Sequence, residues 1–497
     1  MTIQHPLIRL TRVAAKIYIK VENVMENQKK GNFQTNFGFL MAAVGAAIGL
    51  GNIWGFPYKM GANGGAVFLI AYIIMAVVIG YPLMLGEIAL GRKTGKGAVE
   101  AHRMAHPKFG FNGVFETIVP FLLLCFYCVL GGVVMYYMFA NLGDMFGASW
   151  GVHGRDSAEF FGGFISNLPL LMLYTIIFLA MTSFVVFRGI ESGIEKVCSI
   201  GMPLLFIMLI ITVIRCCTLP NAVEGLKFMF QPDFSVLAGT GWFKVLANAG
   251  SQLFFSLSLA SGALIAYGSY MDKNANLEKN SVIIPVLDTT AALLAGLAVF
   301  PAVFSEGLEP SGGPGLLFVS LQTVFESMEW FGPFFGFLFY ALVFVAAFSS
   351  SIGMMEGGLS AVLDYCISKG KGASRPLVVI IITCTTLVGA LLVSADMLGG
   401  NEAMWKPFGL GSWLDAFDLG AEGILMPLGG MIMAIMLGWF SRGYLDDEIR
   451  RTSSYGSKGF TEFCWRYIIP VLMAIVVFVQ FSGFFFSGTA WYQALMG

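Results

Sequence analysis

Apolar runs long enough to cross a bilayer recur along the whole chain, separated by short polar segments. They lie near 37–58, 66–90, 115–143, 168–187, 193–216, 242–268, 281–304, 331–363, 375–395, 416–440 and 463–487. A helix of about 20 apolar residues covers the hydrocarbon thickness, so the pattern predicts an all-α integral membrane protein with about eleven transmembrane helices. Residues 1–36 are polar and charged throughout, without the apolar core of a signal peptide, so the first span is expected to stay in the membrane.

Two runs break the pattern from within. In the first, Gly45, Gly49, Gly51 and Asn52 interrupt what should be continuous apolar surface before Trp54 and Pro57. Lipid cannot hydrogen-bond a broken backbone, so such a span persists only where its freed amides and carbonyls face a protein-lined cavity. That makes the break a candidate site for a small polar ligand and a dehydrated cation; the plainer account is a glycine-rich packing face. The sixth run carries a matching cluster midway, Ser256, Ser258, Ala260, Ser261 and Gly262. The first and sixth spans hold corresponding places if two five-helix halves are related by an inverted repeat, although no residue-level repeat is visible between them.

Composition agrees with the pattern: 57% of residues are hydrophobic and 12% charged. The charges set the orientation. With the N-terminus in the cytoplasm and the spans alternating, all but Lys59, Arg155, Arg215, Lys227, Lys244 and Lys406 of the 29 basic residues fall inside. The net charge of −1 adds nothing about partners, and no nucleic-acid partner is expected. The short external loops without Asn-x-Ser/Thr sequons lean towards a prokaryotic inner membrane.

Enzyme chemistry finds little support. His5, His102, His106 and His153 lie outside the spans, which argues against a buried histidine–metal site or a Ser–His dyad. Cys125 and Cys128 share a CxxC spacing inside an apolar helix, where buried small hydrophobes are the better account. The segment Gly91-Arg-Lys-Thr-Gly-Lys-Gly97 has the wrong spacing for a phosphate loop and reads as a basic cytoplasmic loop. With no nucleotide site, uphill work must draw on an ion gradient or another subunit.

Several motifs, in order along residues 33–487, resemble the neurotransmitter:sodium symporter family. They are Gly49-Leu-Gly-Asn52-Ile-Trp-x-Phe-Pro57, Asn63-Gly-Gly-x-x-Phe68, Glu87 after Pro-Leu-Met-Leu-Gly, and Phe126-Tyr127. Arg188-Gly-Ile-Glu-x-Gly-Ile-Glu195, Pro232-Asp-Phe and Ser349-Ser-Ser351 complete the set. The resemblance implies a LeuT-type 5+5 inverted repeat with broken helices 1 and 6. Its parts would be a tail at 1–36, a first repeat at 37–216, an extracellular loop at 217–241, a second repeat at 242–441 and an additional helix at 463–487.

The resemblance also implies a sodium-coupled symporter working by alternating access, with two Na⁺ sites. The first would use the Ala47 carbonyl, Asn52, Ser256, Asp288 and the substrate carboxylate. The second would use the Gly45, Ile48 and Ala346 carbonyls with the Ser349 and Ser350 hydroxyls, all hard oxygen ligands. Monoamine members carry an aspartate where Gly49 stands, so here the substrate must bring its own carboxylate to the helix-1 amides. An α-amino acid is expected, held by Ala47, Gly49, Leu50, Gly51, Tyr127, Ser256 and Ser350. Its side chain would lie among Leu123, Phe255, Ser258, Ser261 and Met354, with Ala260 nearby. Ser261 replaces a commonly bulkier residue, which leaves room for a large apolar or aromatic side chain.

Gating and anion use depart from the common pattern. The usual outer-gate arginine is absent at Gly55, opposite Asp418, so either Lys59 substitutes or the gate rests on Tyr127 and Phe255 alone. At the inner face the expected set is Lys30, Asp364, Phe33 and Tyr270. Chloride-dependent relatives place a neutral asparagine at the position of Asp288. Tyr72, Gln252 and Ser256 fit the anion set, but Ala292 replaces its last serine, so transport is expected not to need chloride. Glu87 is expected to hold unwound backbone amides rather than substrate. A betaine carrier and a non-transporting amino-acid sensor are the alternatives; the chain offers a poor aromatic cage for the first and no output domain for the second.

Overall fold

The computed structural model describes residues 31–307, 316–486 and 488–492. Among them there is no β-strand, and helices satisfy their backbone groups internally as the bilayer demands. Among the described residues nine helices are long and apolar enough to cross a membrane, and one bent pair makes ten. The pair is α1 (Asn36–Ala47) and α2 (Gly51–Ala62), which meet at 50°. The eleventh expected span is α8 (Gly241–Ser256) and α9 (Ala263–Ser269), separated by the non-helical residues 257–262.

Between them run α3 (Ala66–Thr94), the short α4 (Ala98–Ala105), α5 (Pro107–Met145), α6 (Leu168–Phe187) and α7 (Ile190–Cys217). After the second break come α10 (Leu277–Ser305), α11 (Glu329–Ser368), α12 (Arg375–Gly399), α13 (Trp413–Phe440) and α14 (Lys458–Phe486). Each broken span therefore opens a run of five, with α14 added at the end. The stretch expected to be a loop at 217–241 holds a helix of its own, Ala222–Phe230.

Burial sorts the helices. The apolar window of α5 is 83% buried, whereas that of α14 is 28% buried. The central helix α5 lies along α11, and α1 packs on α11, α7 and α10. Both breaks consequently sit in protein, not lipid, which is the condition for an interrupted span. The segment 91–97 departs from expectation. Arg92 lies within α3, almost fully buried, with Nε donating to Glu448 Oε1 at 2.7 Å. It is a cross-link to the chain after α13 and not part of a solvated loop.

Candidate functional site

The first break begins where Ile48 leaves helical geometry, with φ −74° and ψ 109°. Its amides find partners from side chains. Gly49 N–H donates to Asn52 Oδ1 at 3.1 Å, and Leu50 N–H donates to the Tyr127 hydroxyl at 3.0 Å. On the other side the Ser350 hydroxyl faces the carbonyls of Gly45, Ala46 and Ile48 at 3.1, 3.3 and 3.1 Å. One hydroxyl proton cannot serve three carbonyls, so this corner is rich in hard oxygen acceptors and suits a small dehydrated cation. Ser349 faces the Val345 and Ala346 carbonyls at 3.0 and 3.1 Å, and its Cβ lies 3.0 Å from the place a Cβ on Gly45 would take. The five residues expected at the second sodium site are thus brought together. A Cβ on Gly49 would stand 2.5 Å from both Ser350 Oγ and Tyr127 Oη, so no side chain fits there.

The second break is more strained. Ser258 and Ala260 sit at φ 51° and 54°, and Gly262 at 71°. Left-handed geometry costs a residue with a Cβ about 1–2 kcal/mol. Glu87 offsets that cost by accepting the Ala260 N–H at 2.8 Å, the role expected of it. Ser258 Oγ donates to the Ala46 carbonyl at 2.8 Å, tying the two breaks together, and Ser261 Oγ turns back onto the Ser258 carbonyl at 2.6 Å.

Asp288 on α10 anchors the adjoining corner. Its carboxylate accepts from Asn52 Nδ2 at 2.7 Å, Ser256 Oγ at 2.9 Å and Tyr72 Oη at 3.1 Å. Asn52, Ser256 and Asp288, three residues expected at the first sodium site, therefore meet, and Ala47 is buried on α1. The Asn52 oxygen, expected to face a cation, is engaged by Gly49 N–H. Gln252 Nε2 donates to the Gly51 carbonyl at 2.7 Å, and Ala292 is buried. Leu123, Tyr127 and Met354 are buried, while Phe255 is half-buried with its ring against Gly51.

At the outer side Lys59 does meet an acid, but not the Asp418 expected opposite it. Lys59 reaches across to Glu422 on α13 and also donates to Ser251 Oγ at 3.3 Å. Ser251 in turn donates to Glu422 Oε1 at 2.6 Å. The lysine's partner is thus Glu422, one turn beyond Asp418, which itself hydrogen-bonds Glu422. Lys59 starts one turn beyond Gly55, and Glu422 with Ser251 supplies the oxygens its ammonium meets. At the opposite end Asp364 accepts Gly97 N–H at 2.6 Å, Tyr270 donates to Glu356 at 2.8 Å, and Phe33 packs edge-on against Tyr267. Lys30 lies outside the described residues.

Three further linkages were missed by sequence reasoning. Arg375 joins Glu356 Oε1 at 3.0 Å and the Val186 carbonyl at 2.8 Å, tying α12, α11 and α6 together. Glu195 accepts Gln34 N–H at 2.8 Å and the Thr35 hydroxyl at 2.9 Å, holding the start of α1 against α7. His102 lies outside the spans, as expected, yet is fully buried against Asn112 and Glu116. The available signal was an acid inside an apolar run, as at Glu356 and Glu422, which is costly unless partnered.

The chain matches the sodium:neurotransmitter symporter family over residues 30–152 and 151–493. It is 33% identical to the uncharacterized sodium-dependent transporter YhdH of Bacillus subtilis, over 92% of this chain and 99% of that protein. Against the sodium- and chloride-dependent GABA transporter 2 of Homo sapiens it is 23% identical, over 89% of this chain and 79% of that one. The crystal structure of MhsT in complex with L-phenylalanine superposes with a TM-score of 0.81 at 35% identity, covering 91% of this chain and 99% of MhsT.

Proposed function

The chain belongs to the sodium:neurotransmitter symporter family, a family of multi-pass secondary transporters with the LeuT-type fold, and from that premise we propose a sodium-coupled importer of large apolar or aromatic α-amino acids. The observation that carries the substrate class is the first break. Leu50 N–H and the Tyr127 hydroxyl share one gap, and Gly49 leaves that gap without a side chain, so its own position offers no acid to pair with an amine. A substrate carboxylate laid there meets amide and hydroxyl donors, while break carbonyls take the amino group. The room left by Ser261 and the pliable Met354 favour a ring, and the 35% identical MhsT was solved with L-phenylalanine.

Two sodium ions accompany it in this reading. One lies among Asn52, Ser256, Asp288, the Ala47 carbonyl and the substrate carboxylate; the other lies in the Ser349–Ser350 corner. Chloride is not required. The hydroxyls of Tyr72 and Ser256 already donate to the Asp288 carboxylate. A chloride at the same place would face that fixed charge, a repulsion of about 4 kcal/mol at 4 Å with an effective dielectric of 20. The N-terminal tail and the α3–α4 connection then lie in the cytoplasm, with Lys59 and Glu422 at the outer side.

The test is a competition screen of the twenty amino acids and betaine against sodium-driven uptake by proteoliposomes. Phenylalanine, tyrosine, tryptophan or leucine should compete best. Competition by betaine alone would overturn the substrate class.

A further inference from the structure

Beneath the second break, three elements bury a polar cluster that the sodium and substrate sites do not use. Glu87 on α3, His102 on α4, and Asn112 and Glu116 on α5 are all fully buried. Glu87 holds the Ala260 amide, and the Glu116 backbone carbonyl lies 3.0 Å from where a Cβ on Gly262 would stand. Glu87 thus holds the six-residue break directly, and the α5 backbone at Glu116 backs closely onto its end at Gly262. Among the described residues, no lysine or arginine pairs with either of them.

Hydrogen counting shows a deficit of donors. His102 Nδ1 faces the Ala98 carbonyl at 3.0 Å, which fixes the proton on that nitrogen and leaves Nε2 a bare acceptor. Burial pushes this imidazole down to about 4, so it stays neutral at ordinary pH. Asn112 Nδ2 then confronts His102 Nε2 at 3.1 Å, Glu116 Oε1 at 3.0 Å and the Gly429 carbonyl at 3.2 Å. It has two hydrogens for three acceptors. Glu87 Oε2, Glu116 Oε2 and Asn112 Oδ1 are buried with no partner at all. Turning the Asn112 amide round would set its oxygen against His102 Nε2 and Glu116 Oε1, which is worse.

We infer that the Glu87–Glu116 pair is a proton-binding site, with the proton on Glu116, and that its occupancy controls the second break. Two unshielded buried carboxylates cannot both be ionised, and a proton on Glu116 supplies the missing donor to His102 Nε2, 3.4 Å from Oε1. Glu87 then stays ionised and keeps its bond to Ala260. When the proton leaves to water, the second charge repels Glu87, and the strained residues Ser258 and Ala260 lose their support. The groups facing Glu116 are Glu87 from α3, His102 from α4, Asn112 from its own helix and the Gly429 carbonyl from α13. Glu100 and Arg103, on the same short helix as His102, pair with each other at 2.9 Å, and Glu100 also takes Ser368 Oγ at 2.8 Å. Arg103 is partly exposed, so α4 joins the cluster to solvent on the tail side.

This inference concerns regulation of the proposed transporter, but its main test needs no substrate. Infrared difference spectra of the whole purified protein, with isotope-labelled glutamate, should show a protonated-carboxyl band at neutral pH that Glu116→Gln removes. The melting midpoint should fall as pH rises through the loss of that band, and the fall should flatten in Glu116→Gln. The sign follows because the folded state binds a proton that the unfolded glutamate has already released. If Glu116→Gln fails to accumulate, Glu116→Asp keeps a carboxyl while taking the band out of the labelled set. A wild type without the band, or a band that survives both substitutions, would overturn the site. In proteoliposomes, sodium-driven L-phenylalanine uptake should slow at least threefold as interior pH rises through the same range, and Glu116→Gln should be indifferent. Equal slowing in both would overturn the control of the break. No phenylalanine uptake at all would indict the substrate reading, leaving the spectra to decide the proton.

Discussion

The two broken helices solve one problem in opposite ways. At the first break the freed amides are served by Asn52 and Tyr127, and the freed carbonyls by Ser350. All three belong to the proposed substrate and sodium shells. At the second, a carboxylate from another helix, Glu87, holds Ala260 in left-handed geometry, and nothing in either shell replaces it. The first break is provisional, its partners free to turn to a ligand. The second is held from the scaffold whether or not a ligand is bound, and only loss of the proton assigned to Glu116 would loosen it. A transporter gains from this division, since a site must reorganise on binding while the frame that shapes it must not.

Separating the two breaks experimentally starts with Glu87. Glu87→Ala leaves a buried amide without an acceptor beside two strained residues, and should cut the yield of folded protein about tenfold or more, in line with a loss of about 1–3 kcal/mol. Size-exclusion yield and a melting curve read this; Glu87→Gln, which keeps an acceptor oxygen, should recover part of it. Normal abundance for Glu87→Ala would mean that the second break does not depend on its carboxylate. Asn52→Ala should behave in the opposite sense. Folded yield should hold, while sodium and amino-acid half-saturation both rise about tenfold, a differential near 1.4 kcal/mol. A rise for one ligand alone would break the shared site.

Smaller effects sharpen the comparison. Converting Asp288→Asn together with Ala292→Ser should leave the protein inactive in gluconate or make its uptake several-fold higher in chloride, whereas the wild type ignores the anion. A wild type that stops in gluconate would refute the role given to Asp288. Ser261→Phe should weaken tryptophan or tyrosine uptake well beyond that of alanine, and equal loss for all would place Ser261 outside the side-chain pocket. Lys59→Met leaves the buried Glu422 with the Ser251 hydroxyl as its remaining donor and should raise half-saturation several-fold. Complete loss on Lys59→Met would make that contact an essential gate.

The sequence pattern carried the fold far. Apolar runs gave the spans and their order, and glycine and hydroxyl residues inside two of them marked the breaks. What it missed were pairings between distant acids and bases, which no period records. Lys59 was legible as a stray cation, but only folding shows that its reach ends at Glu422 beyond Asp418. Arg92 and His102 read as loop residues because they flank spans, yet Arg92 closes on Glu448 and His102 on Asn112. Position outside an apolar run does not mean exposure when short helices fold back under the bundle. Glu87 was readable through the motif Pro-Leu-Met-Leu-Gly-Glu87, which resembles the family's, and an acid within a span needs a partner such as a freed backbone amide.

The central claim is that the two breaks jointly bind sodium and an amino acid and move them together. Proteoliposomes preloaded with potassium and diluted into sodium should accumulate labelled L-phenylalanine above the external concentration. The same vesicles diluted into potassium, with or without a proton gradient, should only equilibrate. Accumulation that persists without sodium would contradict the account.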